Sequence, residues 1–340
     1  MSVILTEMAT SGGLRQLCVR NEFLELTLLP EAGGKLLDLR DLRSGRNVLW
    51  RNPRVSPART YPGAAFDDLW CGGWDEIFPS DIACDVNGSS IHDHGDAWTG
   101  PWDWSADLQD PDRVTLRMTR YSPSLPCQLE RTVTVTAGAA EVAVGLQVTN
   151  LSDLSVDFLW SQHIALAVGK GSRLHLPAGR LAVEGPTVSR ADTAKEVTWP
   201  SHGSIPDFSV LPGPSAGLAD FWHTTDLRTG WLALTYPEEG VAVRVAFDVK
   251  VFPVVWLFAS FGGWRGHHVL VAEPSSGPPG GLAKATKEGT AIQLDGHAHL
   301  ATAVRLTLSH QFRSDVSGDC DPIVAADSSA EVVPEDPPEH

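Results

Sequence analysis

Basic side chains are scarce in this 340-residue chain: 26 Lys and Arg stand against 42 Asp and Glu, a formal charge of −16. Nucleic-acid backbones and anionic membrane surfaces both require a positive footprint, so neither is an expected partner. Cysteine is scarce as well. Cys18, Cys71, Cys84, Cys127 and Cys320 are odd in number, scattered and without a CxxC pair. That argues against a disulfide framework or a zinc site and for the reduced thiols of a cytoplasmic protein. No apolar run approaches the ~20 residues of a membrane helix. The opening MSVILTEMATSGG has no basic n-region, so a secretory signal is not expected. Also missing is any convincing three-turn amphipathic helix.

What the chain does have is alternation. Glu22 to Leu29, Val114 to Tyr121, Gln128 to Thr136 and Glu141 to Thr149 repeat apolar and polar residues with period two. Ala137-Gly138 breaks the last two into a hairpin. Further strands are expected at Ser155 to Ser161, Trp231 to Tyr236, Val241 to Phe247, Val254 to Ser260, His268 to Glu273, Thr290 to Leu294 and Leu300 to Ser309. Thirty-one Gly and 24 Pro punctuate them. Many short strands with turns between them predict an all-β protein of antiparallel sheets packed face to face, with few or no long helices. A hydrophobic content of 42% can fill such a core. No linker divides residues 1–312, which read as one domain. Residues 313–340 hold eight acidic residues against one Arg and are rich in Pro and Ser, the composition of a disordered tail.

The residues suited to chemistry are concentrated. Trp50, Trp70, Trp74, Trp98, Trp102 and Trp104, half of the twelve tryptophans, fall within 55 residues. Indoles commonly fill cores, but the segments GGWDEIFPSD (72–81) and HDHGDAWTGPWDW (92–104) read as loops, and loops bearing Trp, His, Asp and Glu together are where binding sites concentrate. His94 lies in the second of these. His163, in FLWSQHIAL, sits near the end of an apolar strand, where it needs a hydrogen-bond partner or a cavity. Glu273 closes HHVLVAE, so its carboxylate faces either a wet sheet rim or a functional pocket. Two histidines and a carboxylate form an acid/base set, although His175, His223, His267, His268 and His297 fit the same description. The pairs His92/His94 and His297/His299 lack a third ligand, and no metal site is expected.

In order along the chain, NEFLELTLLPEAGGKLLDLRDLRSGRNVLW, GGWDEIFPSD, HGDAWTGPWDW, VTNLSDLSVDFLWSQHIALAVGKGSRLHLPAG, VLVAEPSSGPPGGL and KEGTAIQLDGHAHLATAVRLTL resemble the aldose 1-epimerase (galactose mutarotase-like) superfamily. The resemblance spans about residues 20–312. It implies a β-supersandwich whose concave face holds a sugar, and an isomerase that interconverts α and β anomers without a cofactor. It makes Glu273 the general base for the anomeric hydroxyl, His163 the general acid for the ring oxygen and His94 the second histidine beside that oxygen. Trp74, Asp75, Glu76, Trp98, Trp102 and Trp264 become the expected substrate-binding residues. The partner implied is a small carbohydrate, on a monomer or homodimer.

The departures mark a divergent branch. Asp75, Glu76 and Asp81 stand in the loop where galactose mutarotases carry a sugar-binding Arg. Ile164 and Ala165 follow His163 instead of the common Pro and aromatic. No basic cluster marks a phosphate site, although Arg265 and Lys284 could contribute. Two alternatives stay open: another carbohydrate enzyme on the same fold (lyase, hydrolase or tailoring isomerase of a glycoside), in which Asp75 and Glu76 would matter more, and a non-catalytic sugar-binding module.

Overall fold

Strong alternation forces half-buried strands, and the longest ones show it most cleanly. Cys127–Thr136 and Glu141–Asn150 bury every second residue and pair antiparallel as the expected hairpin, with Val133 opposite Val144. They belong to an eight-stranded antiparallel sheet that runs Arg173–His175, Trp231–Tyr236, Val241–Phe247, His299–Ser309, Glu141–Asn150, Cys127–Thr136, Arg113–Tyr121, Asp103–Asp107. One face meets the core and the other meets water, the usual arrangement for such sheets. The computed structural model describes residues 2–185, 189–191, 194–203 and 207–310; the expected acidic tail lies outside them.

The facing sheet has eleven strands. Its order is Ile4–Ala9, Arg15–Arg20, Leu24–Leu29, Lys35–Asp41, Trp74–Ile77, Ser161–Ala167, His268–Ser275, Val254–Phe261, Leu218–Thr224, Arg180–Val183, Glu196–Thr198. Its central strands behave differently. Ser161–Ala167 and His268–Ser275 are buried on both faces along nearly their whole length. Their inward residues, Ile164, Leu166, Leu270 and Ala272, join the inter-sheet core with Val144, Leu146 and Leu306. Their outward residues, Ala165, Val269 and Val271, pack under a second apolar cluster formed by Trp50, Phe66, Trp70 and Trp98. A strand covered on both sides loses its alternation, which is why these two read as continuous apolar runs.

Helix is confined to short pieces, with Phe66–Leu69 and Leu282–Glu288 the two α-helices among the described residues. Two of the expected boundaries differ. The run from Ser155 to Ser161 splits into Val156–Phe158, paired with Ile292–Leu294, and the start of the next strand at Ser161. The segment 72–81, expected as a loop, contains the strand Trp74–Ile77 in the middle of the large sheet. Its acidic residues hid it: Asp75 and Glu76 are buried only because each has a cationic partner, Lys35 and Arg131 respectively. Gly72 and Gly73 lead into it at φ 88° and 83°, where a Cβ would strike the carbonyls of Trp50 and Leu36.

Candidate active site

Register across the large sheet assembles one row of side chains. His163 pairs with Asp75 on one side. The pairs Ile164–Ala272 and Ser161–Ser275 set it across from Glu273 on the other. Glu273 in turn pairs with Trp256, and Trp256 with His223. Cross-strand neighbours on one face lie ~5 Å apart, so four sequence-distant segments converge on the outward face of the sheet.

Above that row is a cavity of about 230 Å³ lined by His163, Glu273, Trp256, Phe258, Phe221 and Ile77 from the strands. Loops and the short helix complete it with Phe66, Asp67, Trp70, Asp81, Ile82, His94 and Trp264. His94 reaches it from a tight turn and holds a left-handed φ of 58°. Its amide donates to the Asp81 carbonyl, and the neighbouring Asp96 amide donates to the Phe78 carbonyl, fixing the turn against the segment that leaves Trp74–Ile77. The His94 ring stacks on Phe66 at 3.8 Å and 5°, donates from Nδ1 to the Asp93 carboxylate at 3.0 Å, and lies 6.1 Å from the His163 ring.

The two buried titratable groups are displaced in opposite directions. Burial, with the negative charge of Asp81 added, holds the Glu273 carboxyl well above its ordinary 4.5. Among the described residues no donor is hydrogen-bonded to that carboxyl. Burial, then the charges of His94 and Lys35, holds the His163 imidazole well below its ordinary 6.5. Its Nδ1 has no hydrogen-bond partner, and Phe66 and Trp70 flank the ring edge-on at 5.2 and 5.3 Å. Asp81 itself is held in place: its carboxylate accepts the amides of Gly281 at 2.9 Å and Gly280 at 3.0 Å. Both displacements favour the neutral form, as desolvation does, and strongly perturbed groups lining a cavity are candidates for a functional site.

No protein-family model and no curated protein sequence matches the chain. Solved structures do. A provisionally assigned aldose 1-epimerase from Klebsiella pneumoniae superposes with a TM-score of 0.69 at 15% identity, covering 90% of this chain and 83% of the other. A galactose mutarotase-like protein from Clostridium acetobutylicum gives 0.65 at 10% identity, covering 91% and 99%. A galactose mutarotase related enzyme from Lactobacillus acidophilus gives 0.60 at 13%, covering 86% and 97%. The chain has the galactose mutarotase-like fold. At such identities the likeness is one of fold, and it carries the all-β supersandwich architecture but no reaction.

Within that fold the sequence-predicted site residues divide. Glu273, His163 and His94 line the one cavity together with Trp264. The other five expected substrate-binding residues are not in its lining. Trp74 is fully buried between the sheets and donates from Nε1 to Gln162 at 2.9 Å. Trp102 packs in the same core, donating to the Ala97 carbonyl at 2.9 Å. Glu76 also points inward, to Arg131 and to the Trp160 indole. Asp75 faces the cavity side but is sealed beneath it by Lys35. Trp98 is buried behind Phe66, edge-on at 4.9 Å. Within Trp74–Ile77 period two decides: Trp74 and Glu76 share the inward face, Asp75 and Ile77 the outward one.

Sequence reasoning passed over Phe66, Trp70, Asp81, Ile82, Phe221, Trp256 and Phe258 as lining. Asp81 sits in GGWDEIFPSD, and Trp256 and Phe258 alternate just as Val271 and Glu273 do in the adjacent strand. Only register shows that the two alternations face the same side. Among the described residues no group of three or more His, Cys, Asp and Glu has the arrangement of a metal site. None of the helices among the described residues is long and apolar enough to cross a membrane.

Proposed function

We propose that the chain is an aldose mutarotase, interconverting α and β anomers by acid/base ring opening. The observation that carries this reading is the convergence of Glu273 and His163, neighbours across adjacent strands, in one small cavity with His94. Ring opening requires a proton to leave the anomeric hydroxyl while another reaches the ring oxygen, and positioned groups typically contribute ~10²–10⁴-fold to such a step.

Burial favours the neutral form of each group, and ring opening draws on the charged distribution of the single proton they share. Between their two apparent pKa values Glu273 and His163 hold one proton together, as carboxyl with neutral imidazole or as carboxylate with imidazolium. The second distribution is the reactive one. The Glu273 carboxylate accepts the O1 proton as the C1–O5 bond breaks, and His163 delivers its proton to O5. The C1 aldehyde then turns about the C1–C2 bond, and the proton transfers run backwards onto its other face. The net charge of the pair is unchanged throughout, so burial of the two groups is no obstacle. His94, 6.1 Å from His163 and fixed on Phe66, is suited to hydrogen-bond beside the ring oxygen. Trp264 and Trp256 offer flat faces against which a sugar ring can be oriented.

A cavity of about 230 Å³ suits a monosaccharide better than a polymer, since clefts for larger ligands run to roughly 300–1,000 Å³. Asp75 and Glu76, which a lyase or hydrolase reading relied on, are engaged with Lys35 and Arg131. Exchange NMR of α and β anomers over a panel of aldoses tests the proposal. Acceleration that disappears in Glu273→Gln supports it. Absence of acceleration, with release of the aglycone from a glycoside instead, transfers the site to hydrolysis by Asp81 and Glu273.

A further inference from the structure

The cavity is unusually one-sided. Its polar side chains are Asp81, His94, His163, Glu273 and, at the mouth, Asp67. Among the described residues the lining contains no Asn, Gln, Ser, Thr, Tyr, Lys or Arg side chain. The remainder of the wall is aromatic, from Phe66 and Trp70 to Phe258 and Trp264, with Ile77 and Ile82. The Trp256 indole N–H is already given to the Gly277 carbonyl at 2.8 Å. Asp81 already accepts two glycine amides.

The nearby cations are engaged as well. Arg265 bonds the carboxylate of Asp68 at 2.7 Å and approaches that of Asp67 at 3.7 Å. Arg54 donates to the Arg265 carbonyl and contacts His267. Lys35 is sealed under the floor with Asp75. Lys284 is exposed on the helix Leu282–Glu288 and is not part of the lining.

A fully hydroxylated hexose has more polar groups than this wall can meet. The acid/base cluster serves O1, O5 and one neighbour, and the unpaired indole N–H of Trp70 can meet one hydroxyl more; a hydroxyl beyond these faces an aromatic ring without a partner. We propose that the cavity selects a neutral deoxy-aldose, a sugar in which a hydroxyl away from the reacting carbon is replaced by hydrogen. This rests on the mutarotase reading for its reaction but on the wall for its selectivity. An apolar pocket discriminates against an added hydroxyl by up to ~10²-fold, so the expected preference is about 10- to 100-fold.

The test compares D-glucose, 2-deoxy-D-glucose, 6-deoxy-D-glucose and D-glucose 6-phosphate. Anomer exchange is followed by NMR on the wild-type chain, and binding by saturation-transfer NMR on Glu273→Gln. A kcat/KM for either deoxy sugar about tenfold or more above glucose, with the phosphate inert, supports the proposal. So does a narrowing of that gap in Phe258→Asn or Phe221→Asn, each of which puts an amide on the wall. Glucose equal to or better than both deoxy sugars overturns it. A leading glucose 6-phosphate, weakened by Lys284→Ala, overturns it in favour of an anionic substrate. Deoxy preference in binding without anomer exchange would keep the substrate class and remove the reaction. No binding of any sugar removes both.

Discussion

Glu76 and Glu273 lie two strands apart in the same eleven-stranded sheet, and both are nearly inaccessible, at 1% and 5% exposure. They point to opposite faces. Glu76 faces the inter-sheet core, where one oxygen receives two N–H groups of Arg131 at 2.6 and 3.2 Å and the other receives the Trp160 indole at 2.7 Å. Arg131 in turn donates to the Gly34 carbonyl at 2.7 Å and lies over the Trp102 ring at 5.0 Å. Glu273 faces the cavity with no such donor and with Asp81 as a like-charged neighbour. The first carboxylate is fully matched, and the second has no hydrogen-bond donor. Burial without a partner, not burial alone, is therefore what sets Glu273 apart as the candidate.

The comparison can be broken or sharpened at graded strength. The largest expected effect is on rate: Glu273→Gln should lower catalysed anomer exchange by ~10²–10⁴-fold while the fold persists. Nearly unchanged exchange would remove Glu273 from the mechanism. Next is stability at the matched site. Arg131→Met leaves Glu76 buried without its cation, a loss of about 3–5 kcal/mol, so Tm should fall by roughly ten degrees. A drop no greater than that of an exposed substitution would mean that Glu76 is as poorly matched as Glu273.

The third effect has the opposite sign. Below pH 4.5 the Glu273 carboxyl is protonated in both folded and unfolded chains, so Glu273→Gln changes stability little. Above pH 4.5 the unfolded chain ionises while the folded one still holds its proton. The wild-type protein therefore loses stability until the pH passes the raised folded pKa. Tenfold in acidity corresponds to about 1.4 kcal/mol, so Glu273→Gln should raise Tm at pH 8 by several degrees and leave it unchanged at pH 4. A Tm that falls at pH 8 would show a hydrogen-bonded, stabilising Glu273. The smallest effect is electrostatic. Asp81→Asn removes the like charge, so the alkaline limb of the pH–rate profile, which reports Glu273, should move to lower pH, by less than about one unit across a partly solvated cavity. A limb that stays in place would separate Asp81 from Glu273.

The sheet architecture was legible because periodicity survives wherever one face meets water. Cys127–Thr136 and Glu141–Asn150 keep their alternation, and the hairpin between them follows from Ala137-Gly138. Trp74–Ile77 was not legible as a strand, since Asp75 and Glu76 read as loop residues until Lys35 and Arg131, 40 and 55 positions away, are brought to them. The acid/base residues stood out as polar groups in apolar surroundings: His163 within FLWSQHIAL, Glu273 at the end of HHVLVAE, His94 in a turn crowded with aromatics. The tryptophans did not sort themselves. Trp74, Trp98 and Trp102 read the same as Trp264, yet three fill cores and one lines the cavity.

The sequence by itself determined the fold class, the strand content and a short set of groups able to move protons, because period and residue type are local properties that any packing must respect. Tertiary structure alone decided which buried carboxylate is matched and which is left open. Charge compensation and sheet register join residues far apart in the chain, so Glu76 acquires Arg131 only when the two sheets close on each other, and Glu273 acquires a cavity only when register and the covering loops assemble its walls.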